Sequence, residues 1–199
     1  MKSALIVVDF QNDFGNQKHG SLYVPGGEQI KPVITELCAL PFSEIVWTRE
    51  LHPKNHKCFT TGTPDVWPPH CVNGTFGSDF MMPPIPTQSA VVATKGDDPD
   101  THPYSGAGAL LDKDTSKTAM AYLKEQKVTH IFICGLAYEF CVGATALDVI
   151  KDGCQNVYVI LDATRGLFPD KIGVCSAQLV EAGGFFIWSA MVPEILKAS

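Results

Sequence analysis

Six short apolar runs alternate along the chain with longer helix-patterned segments, and this alternation limits the fold more than any other feature of the sequence. Residues 4–8, 45–47, 90–94 and 131–134 are nearly continuous in β-branched, aromatic or small apolar side chains, as strands buried on both faces are. Residues 157–161 and 185–188 follow the same pattern. Between the runs lie helical patterns over 28–40, 118–126, 142–151 and 172–182, the last closed by Gly183-Gly184 as helices often are. The expectation is an α/β fold: a single, doubly wound, mostly parallel sheet of six strands with helices on both faces. A chain of 199 residues can bury one sizeable core, so one domain over 1–199 is expected.

Charge and cysteine usage narrow the function classes. The net charge is -6, and the Lys and Arg residues form no run, which argues against nucleic acid as a partner. The apolar stretch 131–150 is divided by Gly135, Glu139, Gly143 and Asp148, so it reads as strand, turn and helix, not as a membrane span. The first apolar run is too short for a signal-peptide core, because Asp9 interrupts it. Seven cysteines, an odd number with no C-x-x-C pair, point to reduced thiols in a cytoplasmic protein.

Two long excursions, 49–89 and 96–117, leave from the ends of expected strands, the edge where open α/β sheets bind ligands. Asp9, Lys95 and Cys141 also stand at or just beyond strand ends, and neighbouring parallel strands would bring them together. A thiol, a carboxylate and an ammonium are what acyl transfer by cysteine requires: a nucleophile, a base and a positive field. Cys141 also opens an expected helix, whose free N–H groups could bind an oxyanion. Taken singly, each residue has a structural alternative: a core cysteine, a turn-forming Asp, a solvated strand-end Lys.

The first excursion carries a second constellation. On an extended segment Glu50 and His52 share a face, and His70 could return to join them. Two imidazoles and a carboxylate suit zinc, iron or manganese and leave positions for water and substrate. Loop histidines that cap turns are the alternative, and the iron oxygenases that share this ligand set use β-rich frameworks. Gly106-Ala107-Gly108 follows no strand and is not a nucleotide loop. Phe14, Trp67 and Tyr104 fall in loops near the same edge, as packing anchors or as substrate walls.

Five ordered motifs carry a resemblance: Asp9-Phe10-Gln11-Asn12-Asp13-Phe14, Glu50-Leu51-His52-Pro53, Trp67-Pro68-Pro69-His70-Cys71-Val72, Lys95-Gly96 and Cys134-Gly135-Leu136-Ala137-Tyr138-Glu139-Phe140-Cys141-Val142. They resemble the nicotinamidase branch of the isochorismatase-like cysteine hydrolases, from the N-terminus to the final strand. The resemblance implies a Rossmann-like layered fold and hydrolysis of nicotinamide, and of pyrazinamide, through a thioester on Cys141 in NAD salvage. It makes Asp9 the proton carrier, Lys95 the orienting cation and Cys141 the nucleophile. The N–H groups of Ala137 and Cys141 become the oxyanion hole, and the Leu136–Ala137 peptide is expected to be cis. Glu50, His52 and His70 fall at the ligand positions for one divalent ion, zinc before iron or manganese, with His56 matching a ligand only some members use. Phe14, Trp67 and Tyr104 match the walls of the pyridine pocket. A homo-oligomer is compatible with this reading.

Three features depart from the family's spelling: Glu50 where Asp is usual, Leu51 where an aromatic is common, and Tyr138-Glu139-Phe140. Three rival readings are an isochorismatase or ureido-acid amidohydrolase, a binding protein of the same fold, and a nicotinamide-cofactor oxidoreductase that lacks the glycine fingerprint.

Overall fold

The first apolar run becomes strand β1 (Ser3–Val8), buried along its whole length. In this computed structural model residues 2–60, 66–84 and 90–198 are described, so segments 61–65 and 85–89 of the first excursion lie outside the described residues. The later strands are β2 (Glu44–Glu50), β3 (Ala90–Lys95), β4 (Leu110–Leu111), β5 (Asp114–Thr118), β6 (His130–Leu136), β7 (Asn156–Arg165) and β8 (Phe185–Ile187). The helices are α1 (Asn12–Gly15), α2 (Lys31–Cys38), α3 (Ala119–Glu125), α4 (Gly143–Lys151), α5 (Pro169–Glu181) and α6 (Val192–Lys197).

Among the described residues eight strands form one sheet in the order β5-β4-β3-β2-β1-β6-β7-β8. The six expected strands are its parallel part, from β3 to β8 across β1. The expected count of six is corrected to eight by β4 and β5, which pair antiparallel at the β3 edge inside the second excursion. Neither could have been read as a buried strand: β4 has two residues, and β5 is the polar and largely exposed Asp-Thr-Ser-Lys-Thr.

Because strand side chains alternate, β1 divides its apolar residues between two cores. Ala4, Ile6 and Val8 pack with Leu123 of α3, Ala146 and Val149 of α4 and Leu179 of α5. Leu5 and Val7 pack on the other face with Ile34 and Leu37 of α2 and Val192 of α6. Each buried Val, Leu or Ile among them contributes ~1.5–3 kcal/mol. Local signals set the helix starts: Thr118 is the N-cap of α3, its hydroxyl accepting from the Ala121 N–H at 3.1 Å. Pro169 opens α5, where its missing N–H costs nothing.

Candidate active site

The carboxyl ends of β1, β2, β3 and β6 meet at one place on the sheet edge. Glu50 and Lys95 end β2 and β3 as register partners, so their side chains rise side by side. Lys95 Nζ lies 2.6 Å from Glu50 Oε1, 2.9 Å from Asp9 Oδ2 and 3.6 Å from Cys141 Sγ. The three strand-end residues read from the sequence are therefore brought together, with Glu50 added to them. Asp9 holds a φ of 44°, a region that costs a non-glycine residue strain. Thr48 secures it: the threonine hydroxyl donates to Asp9 Oδ1 at 2.7 Å, and the Asp9 N–H donates to Thr48 at 3.2 Å.

Gly135 explains how β6 delivers Cys141. Its φ is +112°, and a side chain there would collide with the Val8 carbonyl of β1. The Leu136–Ala137 peptide is cis, and the chain then makes one wide turn over Tyr138–Val142 before α4. Cys141 thus sits on an i→i+5 turn rather than at the first position of the helix; such turns often mark functional sites.

The charges around the thiol are unequal. Burial pushes the Cys141 thiol well above its ordinary pKa, with Lys95 opposing the shift and both carboxylates adding to it. Burial alone would lower Lys95, but Asp9, Cys141 and Glu50 outweigh that and keep the ammonium protonated. Burial also raises Asp9, against the pull of Lys95. For Glu50 burial works the same way, yet Lys95 together with His52 and His70 outweighs it and holds Glu50 well below the usual carboxylate range. Of the two carboxylates near the thiol, Asp9 is therefore the better proton acceptor.

Behind Glu50 stand three imidazoles. His52 Nδ1 bonds the Gly96 carbonyl at 2.8 Å and His70 Nδ1 the Pro68 carbonyl at 2.8 Å, which puts the proton on Nδ1 in both rings. Their Nε2 atoms then face Glu50 Oε2 at 3.4 and 3.2 Å, a donor set that could hold a cation. Gly96 makes room: its φ is +81°, and a Cβ would lie 2.5 Å from the His52 ring. His102 completes a group whose ligand atoms all lie within 4.8 Å of one another. Burial pushes its pKa down to about 4, so it is neutral as a ligand must be. Sequence spacing missed it, because it lies in the second excursion with no partner near it in the chain. His56 stands outside this group: its Nε2 lies 2.9 Å from the Thr101 carbonyl, and its Nδ1 accepts from the Cys58 N–H, in a second candidate group with His52 and Cys58.

A cavity opens beside the thiol, lined by Phe14, Trp67 and Tyr104 and by Glu50, His70, Ala137 and Cys141. Phe140 and Leu167 also line it and were not anticipated. Phe140 packs edge-on to Trp67 at 5.2 Å. Leu167 is placed by Glu139, whose carboxylate accepts the Leu167 and Phe168 N–H groups at 2.8 and 2.6 Å. The rest of the first motif proves to be a clamp on the first excursion. Gln11 Nε2 donates to the Glu50 and Ser78 carbonyls at 2.8 and 2.9 Å, and Asp13 Oδ2 accepts the Cys71 N–H at 2.7 Å, next to His70.

A buried thiol, carboxylate and ammonium at the carboxyl edge of a parallel α/β sheet, beside an aromatic cavity, are the groups a cysteine hydrolase would need. Comparison with known proteins agrees. The isochorismatase domain model matches residues 3–174. A nicotinamidase of Acinetobacter baylyi is 37% identical over 182 residues, covering 82% of this chain and 81% of its own. The pyrazinamidase of Pyrococcus horikoshii in complex with zinc superposes with a TM-score of 0.79 at 35% identity, over 94% of this chain and 99% of that one. PnC1 from L. infantum in complex with nicotinate gives a TM-score of 0.82 at 32% identity, over 95% and 93% of the two chains. The chain belongs to the isochorismatase family and, within it, groups with the nicotinamidases.

Proposed function

We propose that this enzyme hydrolyses nicotinamide to nicotinate and ammonia through a thioester on Cys141, and accepts pyrazinamide in the same way. One observation carries the reading: Lys95 Nζ stands within 2.9 Å of Asp9 and 3.6 Å of the Cys141 thiol, at the edge of an aromatic-walled cavity. The names of its relatives supply the substrate class.

With Lys95 charged, Asp9 takes the Cys141 proton as the sulfur attacks the amide carbon. The N–H groups of Ala137 and Cys141 receive the developing oxyanion. The C–N bond breaks as Asp9 returns the proton to nitrogen, and ammonia leaves. Water then adds to the thioester with Asp9 as base, nicotinate departs, and the thiol regains its proton. Phe14, Trp67 and Tyr104 hold the ring. Glu50, His52 and His70 fit one divalent ion, by their donor set and by the Nε2 atoms that face Glu50 Oε2. Zinc is the first choice, with iron or manganese also suited, and the bound ion would supply a Lewis-acidic dock for the ring nitrogen. The cytoplasm suits seven unpaired cysteines, and among the described residues no helix is long and apolar enough to cross a membrane.

The test is ammonia release by the purified protein from nicotinamide, pyrazinamide and isochorismate, with and without chelation. Turnover of both amides and none of isochorismate is expected. Inert nicotinamide would overturn the assignment.

A further inference from the structure

We propose that His102 is a fourth protein ligand of the ion, and that ion binding thereby ties segment 97–104 to the cavity wall. The inference rests on the reading that Glu50, His52 and His70 hold an ion. Nε2 of His52 and Nε2 of His102 are both buried without a hydrogen-bond partner, a costly state for two neighbouring imidazoles unless something binds between them. Around an ion with metal–nitrogen bonds of ~2.0–2.1 Å, tetrahedral ligand atoms stand roughly 3.3 Å apart. Glu50 Oε2 to His70 Nε2, at 3.2 Å, and to His52 Nε2, at 3.4 Å, already meet that spacing. His102 Nε2 lies 3.7 Å from Glu50 Oε1 and belongs to the group whose ligand atoms all lie within 4.8 Å of one another, so an inward shift of its ring closes the shell. Three imidazoles and a carboxylate suit zinc, iron or manganese, and an ion that takes five or six ligands keeps positions for water and substrate.

His56 does not compete for the place. Its Nε2–H donates to the Thr101 carbonyl at 2.9 Å, so it braces the residue next to His102. Ligation by His102 would also fix Tyr104, whose ring lies 4.9 Å from the His102 ring and whose hydroxyl accepts from Trp67 Nε1 at 3.1 Å. This link from ion to aromatic wall adds to the one through His70, whose ring lies 5.6 Å from that of Phe14. The longer Glu50 places its carboxylate where the first and second excursions can both reach the ion.

The experiment uses the full chain stripped of metal and titrated with zinc against a chromophoric chelator, and with cobalt(II) for its visible spectrum. Wild type, His102→Gln, His102→Ala, His56→Gln and His52→Ala are compared, with hydrogen exchange over 97–104 measured with and without zinc. Expected is one ion per wild-type chain, about tenfold or more weaker zinc binding in both His102 variants, an altered cobalt spectrum, and loss of ion-dependent protection of 97–104. His102 variants that keep wild-type affinity and spectrum, while His52→Ala loses the ion, would overturn the proposal and leave the three-ligand site standing. A spectrum that changes only in His56→Gln would place the ion among His52, His56 and Cys58, and overturn it too. No ion bound by wild type would remove both readings together.

Discussion

Glu50 Oε1 stands 2.6 Å from Lys95 Nζ while its other oxygen faces His70 Nε2 at 3.2 Å, so one carboxylate joins the ammonium beside Cys141 to the histidine group. The two charged partners of Lys95 are not equivalent in cost. In metal-free protein, Lys95→Met would leave Asp9 and Glu50 buried without their cation, a loss of ~3–5 kcal/mol. Glu50→Gln keeps the Lys95–Asp9 pair at 2.9 Å and should cost clearly less. Urea denaturation of both variants at pH 7 checks the order; an equal loss would mean that Asp9 alone does not hold Lys95.

The nucleophile can be tested by selectivity among cysteines. Cys141 lines the cavity, whereas Cys134 is fully buried and Cys154 is half-buried away from it. A pyridine aldehyde shaped like the substrate should add to Cys141 alone, and Cys141→Ala should lower turnover by roughly 10⁴-fold or more with an unchanged fold. Mass spectrometry of the trapped protein decides it, since an adduct on Cys134 or Cys154 contradicts the assignment.

Much of this architecture is legible in the residues themselves. Continuous apolar runs mark β1 and β6 because both faces of those strands are covered, β3 keeps such a run although it is only partly buried, and the polar residue that closes the β1 or β3 run is where the sheet edge begins. That is why Asp9 and Lys95 could be placed at that edge without coordinates. His102 could not, since its neighbours in space come from β2 and the first excursion, and spacing in the chain carries no trace of them. Gln11 and Asp13 belong to the first motif, but their work is to hold backbone groups far along the chain. β5 escaped because an exposed edge strand needs no apolar alternation.

Buried thiols give the fold an alkaline weakness. Burial pushes Cys38 to about 12 and holds Cys71 and Cys134 well above their ordinary values, whereas an unfolded thiol titrates near ~8.5. The unfolded chain therefore releases these protons first as pH rises. The stability from burying neutral thiols is fully present below ~8.5 and is lost progressively above it. Urea midpoints of reduced, metal-free protein should fall from pH 8 to pH 10, and Cys38→Val should make that fall shallower. A flat profile in wild type would show that these thiols ionise without unfolding.

Substrate choice follows from what the cavity offers at each end of a flat ring. Phe14, Trp67, Tyr104 and Phe140 present aromatic surface, and a well-placed ring pair is worth ~0.5–1.5 kcal/mol beyond its buried area. That contribution is nearly the same for nicotinamide and benzamide, whose rings match in shape. The difference must come from Glu50, His70 and His102, the polar residues that line the same cavity. A pyridine nitrogen can accept an interaction from an ion held there or from water on it; a benzene C–H leaves that partner unsatisfied. Discrimination against the ring without its nitrogen should reach roughly 10²-fold or more. The measurement is kcat/KM for both amides with the ion present and after its removal, where the ratio should collapse. Equal values in the loaded enzyme would mean that the ring nitrogen is not read, and would favour a broader amidohydrolase.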